Sequence, residues 1–335
     1  MEMKRRTFAL SVLATVGMPR IARATGGLDI EDASDGRKVR VLLASEPREM
    51  PQQIDSWRFA WNGRTYRGTF SLVDVGGGRR GLINTVPIDA YLYGVLGSEI
   101  GAAWPAAVLQ AQAVTARTFA VTKLRPDRQF DVTAGDSDQH YGGVEAESVA
   151  GRAAVDATSG TIMIYEGKPA HVAFGACCGG RTADAGDVWG TSYPYLTSRT
   201  DPNCGDAPNF EWRAEVPADD LVRALDLHKI GSLRGVELRP ADGSGRPRAI
   251  GFDGSNGSED VPTREFRSAA GGLVHSTFVR EVNLEKRGDR VVASGTGNGH
   301  GVGLCQWGAR GMGANGARPD DILAFYFPGT TIGRA

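Results

Sequence analysis

The segment 86–121, VPIDAYLYGVLGSEIGAAWPAAVLQAQAVTARTFAV, constrains the fold more than any other part of the chain. Pro87 predicts a helix opening at or beside it, because the first helical position has no use for an N–H. Ile88, Tyr91, Leu92, Val95 and Leu96 then recur three and four apart, as one apolar stripe. Gly101 ends this element, and Trp104-Pro105 restart a helix that runs to about Leu124, with Pro126 beyond its end. Ala106, Ala107, Ala111, Ala113, Ala116 and Ala120 give the second helix high propensity. Their small side chains also let other elements approach closely. The expectation is a buried, central helix.

A small β region precedes it. Residues 39–46 are expected as a buried strand, and 57–61 and 65–70 as a hairpin turned by Asn62-Gly63, which suits a type I′ turn. Runs 70–75 and 81–86 supply further strands around Gly76-Gly77-Gly78. After the central helix, 146–157 reads as helical. A hairpin is expected from 161–165 and 170–174 about Glu166-Gly167. Residues 210–216 read as a strand and 218–225 as a short helix. Several short strands across 230–293 suggest a sub-domain inserted at about 210–290. The tail 297–330 is expected to be loop-rich, with one or two helical turns. The class is α+β, with residues 25–81 as an N-terminal β region and 82–332 as the main domain.

The first twenty-four residues are expected to leave. Lys4, Arg5 and Arg6 precede an apolar run, Phe8 to Met18, and then Ala22-Arg23-Ala24, the pattern of a cleaved export signal. Adjacent Arg5 and Arg6, followed by Thr7-Phe8, resemble a twin-arginine signal, which carries folded chains. Export to the periplasm or cell-wall space is therefore expected. Losing residues 1–24 removes five basic residues and one acidic one, so the formal charge moves from -1 to about -5. That balance argues against a nucleic-acid partner but not against a neutral glycan. No later stretch offers the roughly eighteen apolar residues of a membrane span.

Four clusters carry chemistry. Glu99 follows Val95 by four residues and Leu92 by seven, so a continuing helix points it with the apolar stripe. A desolvated carboxyl there would have a raised pKa and suit a general acid, with Tyr91, Tyr93 and Trp104 as an aromatic surround. The polar run Asp136-Ser137-Asp138-Gln139-His140-Tyr141-Gly142-Gly143 suits substrate contacts from a loop. Cys177, Cys178, Cys204 and Cys305 are too few for a disulfide scaffold, but an oxidising compartment favours one or two bridges. Three pairings are open. The alternative is zinc held by His171 with Cys177, Cys178 and Cys305, although the spacing fits no standard zinc signature. Last, His300 stands between Gly299 and Gly301 in GHGVGLCQWGARGM, a loop that is neither a phosphate cradle nor a dinucleotide fingerprint.

In this order, the 86–121 block, Gln139 with Tyr141, CGGRT at 178–182 with Val188-Trp189-Gly190 and PYL at 194–196, and GHGVGLCQWGARGM followed by ILAFYFPGTTI up to 332 resemble the stage II sporulation protein D family, lytic transglycosylases and amidase enhancers of peptidoglycan. The resemblance implies cleavage of peptide-stripped glycan after N-acetylmuramic acid, giving a 1,6-anhydro end. It makes Glu99 the catalytic acid, with Ile100 where the family has Met. It places Gln139, Tyr141, His300 and Gln306 in the same cleft as substrate-positioning groups, with Trp104 beside them. A second carboxylate, Asp136 or Asp138, would instead signal hydrolysis. No cofactor is implied. Some members bind zinc through histidines and cysteines in the loop before the glutamine, but here that loop is Gly135-Asp136-Ser137-Asp138, without a cysteine. The resemblance pairs Cys178 with Cys204, and with it Cys177 with Cys305. The implied partners are glycan strands and a cell-wall amidase; a non-catalytic activator and a hydrolytic muramidase are the rival functions.

Overall fold

The central helix is the feature around which the fold is organised. A computed structural model describes residues 36–135, 137–208, 210–285 and 289–334. The expected leader at 1–24 and Asp136 lie outside the described residues. Helix α1 spans Ile88–Glu99 and α2 spans Ala106–Lys123, with Pro87 and Pro105 as their N-caps. Every residue of α2 from Ala111 to Thr118 is buried, so the helix is surrounded rather than laid on a surface. Leu109, Ala113, Ala116 and Ala120 face one hydrophobic core, and Val108, Ala111 and Val114 face a second. Each large apolar side chain buried in this way contributes about 1.5–3 kcal/mol. The alanines contribute mainly by letting neighbours come close.

The first core joins α1 and α2 to a four-stranded sheet in the order 69–74, 80–87, 38–45, 132–133. Strand Lys38–Ser45 runs antiparallel to Arg80–Pro87 and parallel to Val132–Thr133. The chain leaves the sheet at Pro87 and enters α1 without a loop, since its fixed φ suits both. Asn62 and Gly63 both have positive φ and join Arg58–Trp61 to Arg64–Arg67, as the dipeptide requires.

One buried ion pair ties this region together. Arg117 of α2 donates from Nε to Asp89 of α1 at 2.9 Å, and its other nitrogens reach Val155 O, Thr158 Oγ1 and Thr161 O. Ser159 donates to the second Asp89 oxygen. The pair thus locks α1 and α2 to helix α3, Val149–Ala157, and to the strand that follows it, Thr161–Tyr165. Met163 N also donates to Thr118 Oγ1.

Thr161–Tyr165 pairs with the C-terminal strand Thr331–Arg334 on one side and with only Lys168–Pro169 on the other. The expected second hairpin strand at 170–174 is therefore not formed as such. Phe174–Gly175 pairs in parallel with Leu304–Cys305, because the chain turns away to meet the GHGVG segment. Short helix α4, Ala185–Trp189, follows. Residues 212–293 build a third core from strands 211–217, 279–284 and 290–296, a second small sheet, and helices α5, Ala218–Ala224, and α6, Thr263–Ala269. The whole is a mixed α+β fold of several small sheets.

The tail departs from expectation. It forms two helices, α7, Gln306–Ala314, and α8, Pro319–Tyr326, where loops with one or two helical turns are expected. The glycines of α7 lower its propensity but are required by packing. A Cβ at Gly308 would lie 2.1 Å from Tyr326 Oη, and one at Gly311 would lie 2.2 Å from Asn203 O. Among the described residues no helix is long and apolar enough to cross a membrane.

Candidate functional site

Glu99 is the last residue of α1, and Ile100 after it is extended, with φ -139°. The side chain is therefore half-exposed at a helix end instead of being buried with the apolar stripe. One carboxylate oxygen accepts the backbone N–H of His140 at 2.9 Å. The loop carrying His140 is seated on α1 by small residues: Gly142 N donates to Gly94 O, and a Cβ at Gly97 would lie 1.7 Å from Ala146 O. Sequence patterning finds Glu99, but the stop of the helix decides its exposure.

Gln139 and Tyr141 flank that contact from inside. Both are buried, at 1 % and 3 % exposure. Tyr91 Oη donates to Gln139 Oε1, and Gln139 Nε2 donates to Ala116 O. Tyr141 Oη donates to Asn84, and its ring packs on Tyr66 and Tyr91. Burial pushes the Tyr91 and Tyr141 hydroxyls far above the usual phenol range. Their side chains thus hold the loop against α1 and α2, and it is the backbone between them that meets Glu99. Tyr93 turns elsewhere, to Asp156. Trp104 is half-buried against Trp307, 5.4 Å between ring centres, with Arg310 over both rings.

A cleft of ≈ 450 Å³ opens beside the same loop, lined by Lys123, Asp138, His171, Phe174, Trp189 and His300 among others. Glu99 is not among its lining residues. His300 Nδ1 accepts Val302 N–H, which leaves Nε2–H to donate to Phe174 O at 3.0 Å. Burial pulls its pKa down to about 4, so the ring is neutral at ordinary pH. Its ring faces Trp189 at 5.0 Å. Asp138 is fully engaged: one oxygen accepts Thr133 N and Oγ1, and the other pairs with Lys123 at 2.9 Å. Gln306, at the start of α7, is buried and its Nε2 finds no partner among the described residues. Gln112 of α2, which no motif flags, is likewise buried with both amide atoms unpartnered among the described residues. Its signal is a lone polar side chain inside the Ala-rich stretch.

The cysteines correct two expectations. No disulfide is formed: Cys177, Cys178, Cys204 and Cys305 are all free and buried, and the expected partners Cys178 and Cys204 have their sulfurs 3.7 Å apart. Nor does His171 join Cys177, Cys178 and Cys305 as an alternative zinc set. It is exposed, and its ring packs on Tyr193 at 4.9 Å, because the segment between it and the cysteines carries it to the cleft. The other three thiols converge instead on Cys204, whose sulfur the thiols of Cys177, Cys178 and Cys305 approach. Those contacts hold the Cys204 thiol far below its ordinary range, while the same contact with Cys204 pushes Cys177 up to about 12. The donor atoms of Cys178, Asp201, Cys204 and Cys305 lie within 4.8 Å of one another, a group able to hold a metal ion.

Loop 137–141 thus meets the end of α1 through His140 and shares a cleft with His300 of the GHGVG segment. Comparison with known proteins agrees with the motifs. The family model described as stage II sporulation protein matches residues 77–165. An uncharacterized protein of Brachyspira hyodysenteriae is 31% identical over 283 residues, 82% of this chain and 74% of that one. The Amidase enhancer of Bacillus subtilis is 30% identical over 292 residues, 72% of this chain but only 40% of that longer protein. Stage II sporulation protein D of Bacillus subtilis is 27% identical over 281 residues, 76% of each. The chain belongs to the stage II sporulation protein D and amidase enhancer family.

Proposed function

We propose that this protein binds the glycan strands of peptidoglycan outside the cytoplasm and acts there as an activator of a cell-wall amidase. The observation that carries this reading is the cleft beside loop 137–141. Its aromatic rings, Phe174, Trp189 and Tyr193, suit sugar faces, and Lys123 suits sugar hydroxyl and amide groups. The name of the Bacillus relative, amidase enhancer, supports the amidase as partner. The expected leader at residues 1–24 supports the location.

A second reading goes further and is favoured by Glu99. A half-exposed carboxyl group held by His140 N–H is reachable by a glycosidic oxygen. In this reading Glu99 gives its proton to that oxygen as the C1–O bond breaks. The sugar's own C6 hydroxyl then bonds to C1 and returns its proton to Glu99, so no water is consumed. The engagement of both Asp138 oxygens removes one of the two candidate second carboxylates that hydrolysis would need, Asp136 being the other. Gln139 and Tyr141 act through the loop that they fix, with His300, Gln306 and Trp104 as substrate-positioning groups.

One experiment separates the readings. The purified protein and Glu99→Gln are each incubated with peptide-stripped glycan, and with intact wall plus an amidase. Stimulated amidase with both proteins, and no anhydro-muramyl ends by mass spectrometry, supports the activator. Anhydro ends that vanish with Glu99→Gln support the lyase. Reducing muramic acid ends indicate hydrolysis, and no effect in any arm overturns both readings.

A further inference from the structure

We propose that Cys178, Cys204, Cys305 and Asp201 form a buried, closed site for a soft divalent cation of the zinc class, which staples the CGGRT loop, the 201–204 turn and the start of α7. The set lies apart from loop 135–138 and includes none of the cleft residues.

The donor spacings match a shared tetrahedral cation. Two sulfurs bound at about 2.3 Å to one tetrahedral cation stand about 3.8 Å apart. The Cys178 and Cys204 sulfurs are separated by 3.7 Å, where a disulfide requires about 2.05 Å. The same geometry puts a sulfur and a carboxylate oxygen about 3.5 Å apart. Cys178 Sγ and Asp201 Oδ2 are at 3.3 Å.

Backbone N–H groups point at the sulfurs. Cys305 Sγ accepts two backbone N–H groups, from Cys178 at 3.2 Å and from Gly308 in the first turn of α7 at 3.3 Å. Cys204 Sγ accepts Gly180 N–H at 3.3 Å. Backbone donors aimed at sulfur favour thiolate, the form that binds metal. Cys177 Sγ accepts Gly179 N–H but is not among the four donors that lie within 4.8 Å of one another.

Asp201 is 1 % exposed, and its side-chain contacts among the described residues are with Cys178, Asn203 and Tyr326, none of them a cation. A buried carboxylate without a countercharge is costly, and a cation supplies one. Its remaining contacts are those of an oriented ligand: Tyr326 Oη donates to Oδ2 at 2.8 Å, and Asn203 donates twice to Oδ1. Arg246, from the third core, donates to Cys178 O and Arg181 O at 2.8 Å each and brings a positive charge beside the excess negative charge of three thiolates and a carboxylate. All four ligand residues are buried, which marks a structural site rather than one open to substrate. A twin-arginine route, expected from Arg5 and Arg6, carries folded chains and would let the cation bind in the reducing cytoplasm before export.

The test uses the full chain, purified without chelator from cytoplasmic expression and separately after export. Expected is about one zinc per chain in both, dropping at least about tenfold in Cys204→Ser and retained in Cys177→Ser. Cobalt in place of zinc should show sulfur-to-metal charge transfer and intense visible bands of a tetrahedral site, and Asp201→Asn should shift the visible bands. Should Cys204→Ser fail to fold, the wild type stripped of zinc by chelator tests the same site: four thiols should then titrate and Tm should fall, and an unchanged thiol count and Tm would overturn the proposal. A Cys178–Cys204 disulfide found by mass spectrometry in the exported protein, with no stoichiometric metal, also overturns it. So does metal content unchanged in Cys204→Ser.

Discussion

The Glu99 carboxylate at the end of α1 accepts the backbone N–H of His140 at 2.9 Å, so the most chemically suggestive side chain of this protein is held by a loop's backbone. Glutamine keeps an oxygen for that bond. Glu99→Gln should therefore leave unfolding free energy within about 0.5 kcal/mol of wild type. Any loss of glycan cleavage in this variant then reports chemistry and not folding, and denaturant titration beside the digest checks it.

The Arg117–Asp89 pair should behave quite differently. Both partners are buried, and each compensates the other's charge. Asp89→Ala leaves a guanidinium buried without its carboxylate and should cost about 3–5 kcal/mol. Thermal and urea unfolding measure it. A cost under about 1 kcal/mol would show that this pair does not lock α1 to α2.

His300 gives stability a pH slope of known sign. Burial puts its folded pKa at about 4, below the ordinary value of about 6.5. Between these values the unfolded chain binds the proton and the folded one does not, so stability rises with pH through that window. On acidification this contribution fades from about pH 6.5 and its loss is complete below about pH 4. Urea midpoints across pH 4–7 should show a shallower slope in His300→Gln than in wild type.

Gly311→Ala sets two effects against each other. Helix propensity gains about 1 kcal/mol. The new Cβ, however, would sit 2.2 Å from Asn203 O, backbone that cannot swing aside like a side chain end. Overpacking costs about 1–3 kcal/mol, so the variant should be net destabilised. A higher Tm would show that the 201–204 turn yields easily.

How far the sequence could be followed depends on the range of the force involved. Pro87, the Asn62-Gly63 turn and the Ala-rich stretch act on their own neighbourhood, and the structure has α1, the hairpin and a buried α2 where they point. The glycines of α7 suggest loop for the same local reason. There the requirement of close approach to Tyr326 and Asn203 overrides propensity, and that requirement exists only once the tail is folded against the 201–204 turn. The side chains of Gln139 and Tyr141 look like substrate contacts in a polar run, yet they point inward because Tyr91, Asn84 and Ala116 satisfy them there.

The sequence by itself determined the family, the α+β class, the two tandem helices and Glu99 as the residue to watch, because these rest on short-range pattern. Tertiary structure alone decided that Glu99 reaches solvent, since the helix stops there, and that Cys178, Cys204 and Cys305 gather with Asp201 instead of pairing. Residues 127 positions apart, Cys178 and Cys305, meet only when the CGGRT loop and α7 close on each other, and no spacing along the chain encodes a sulfur-to-sulfur distance.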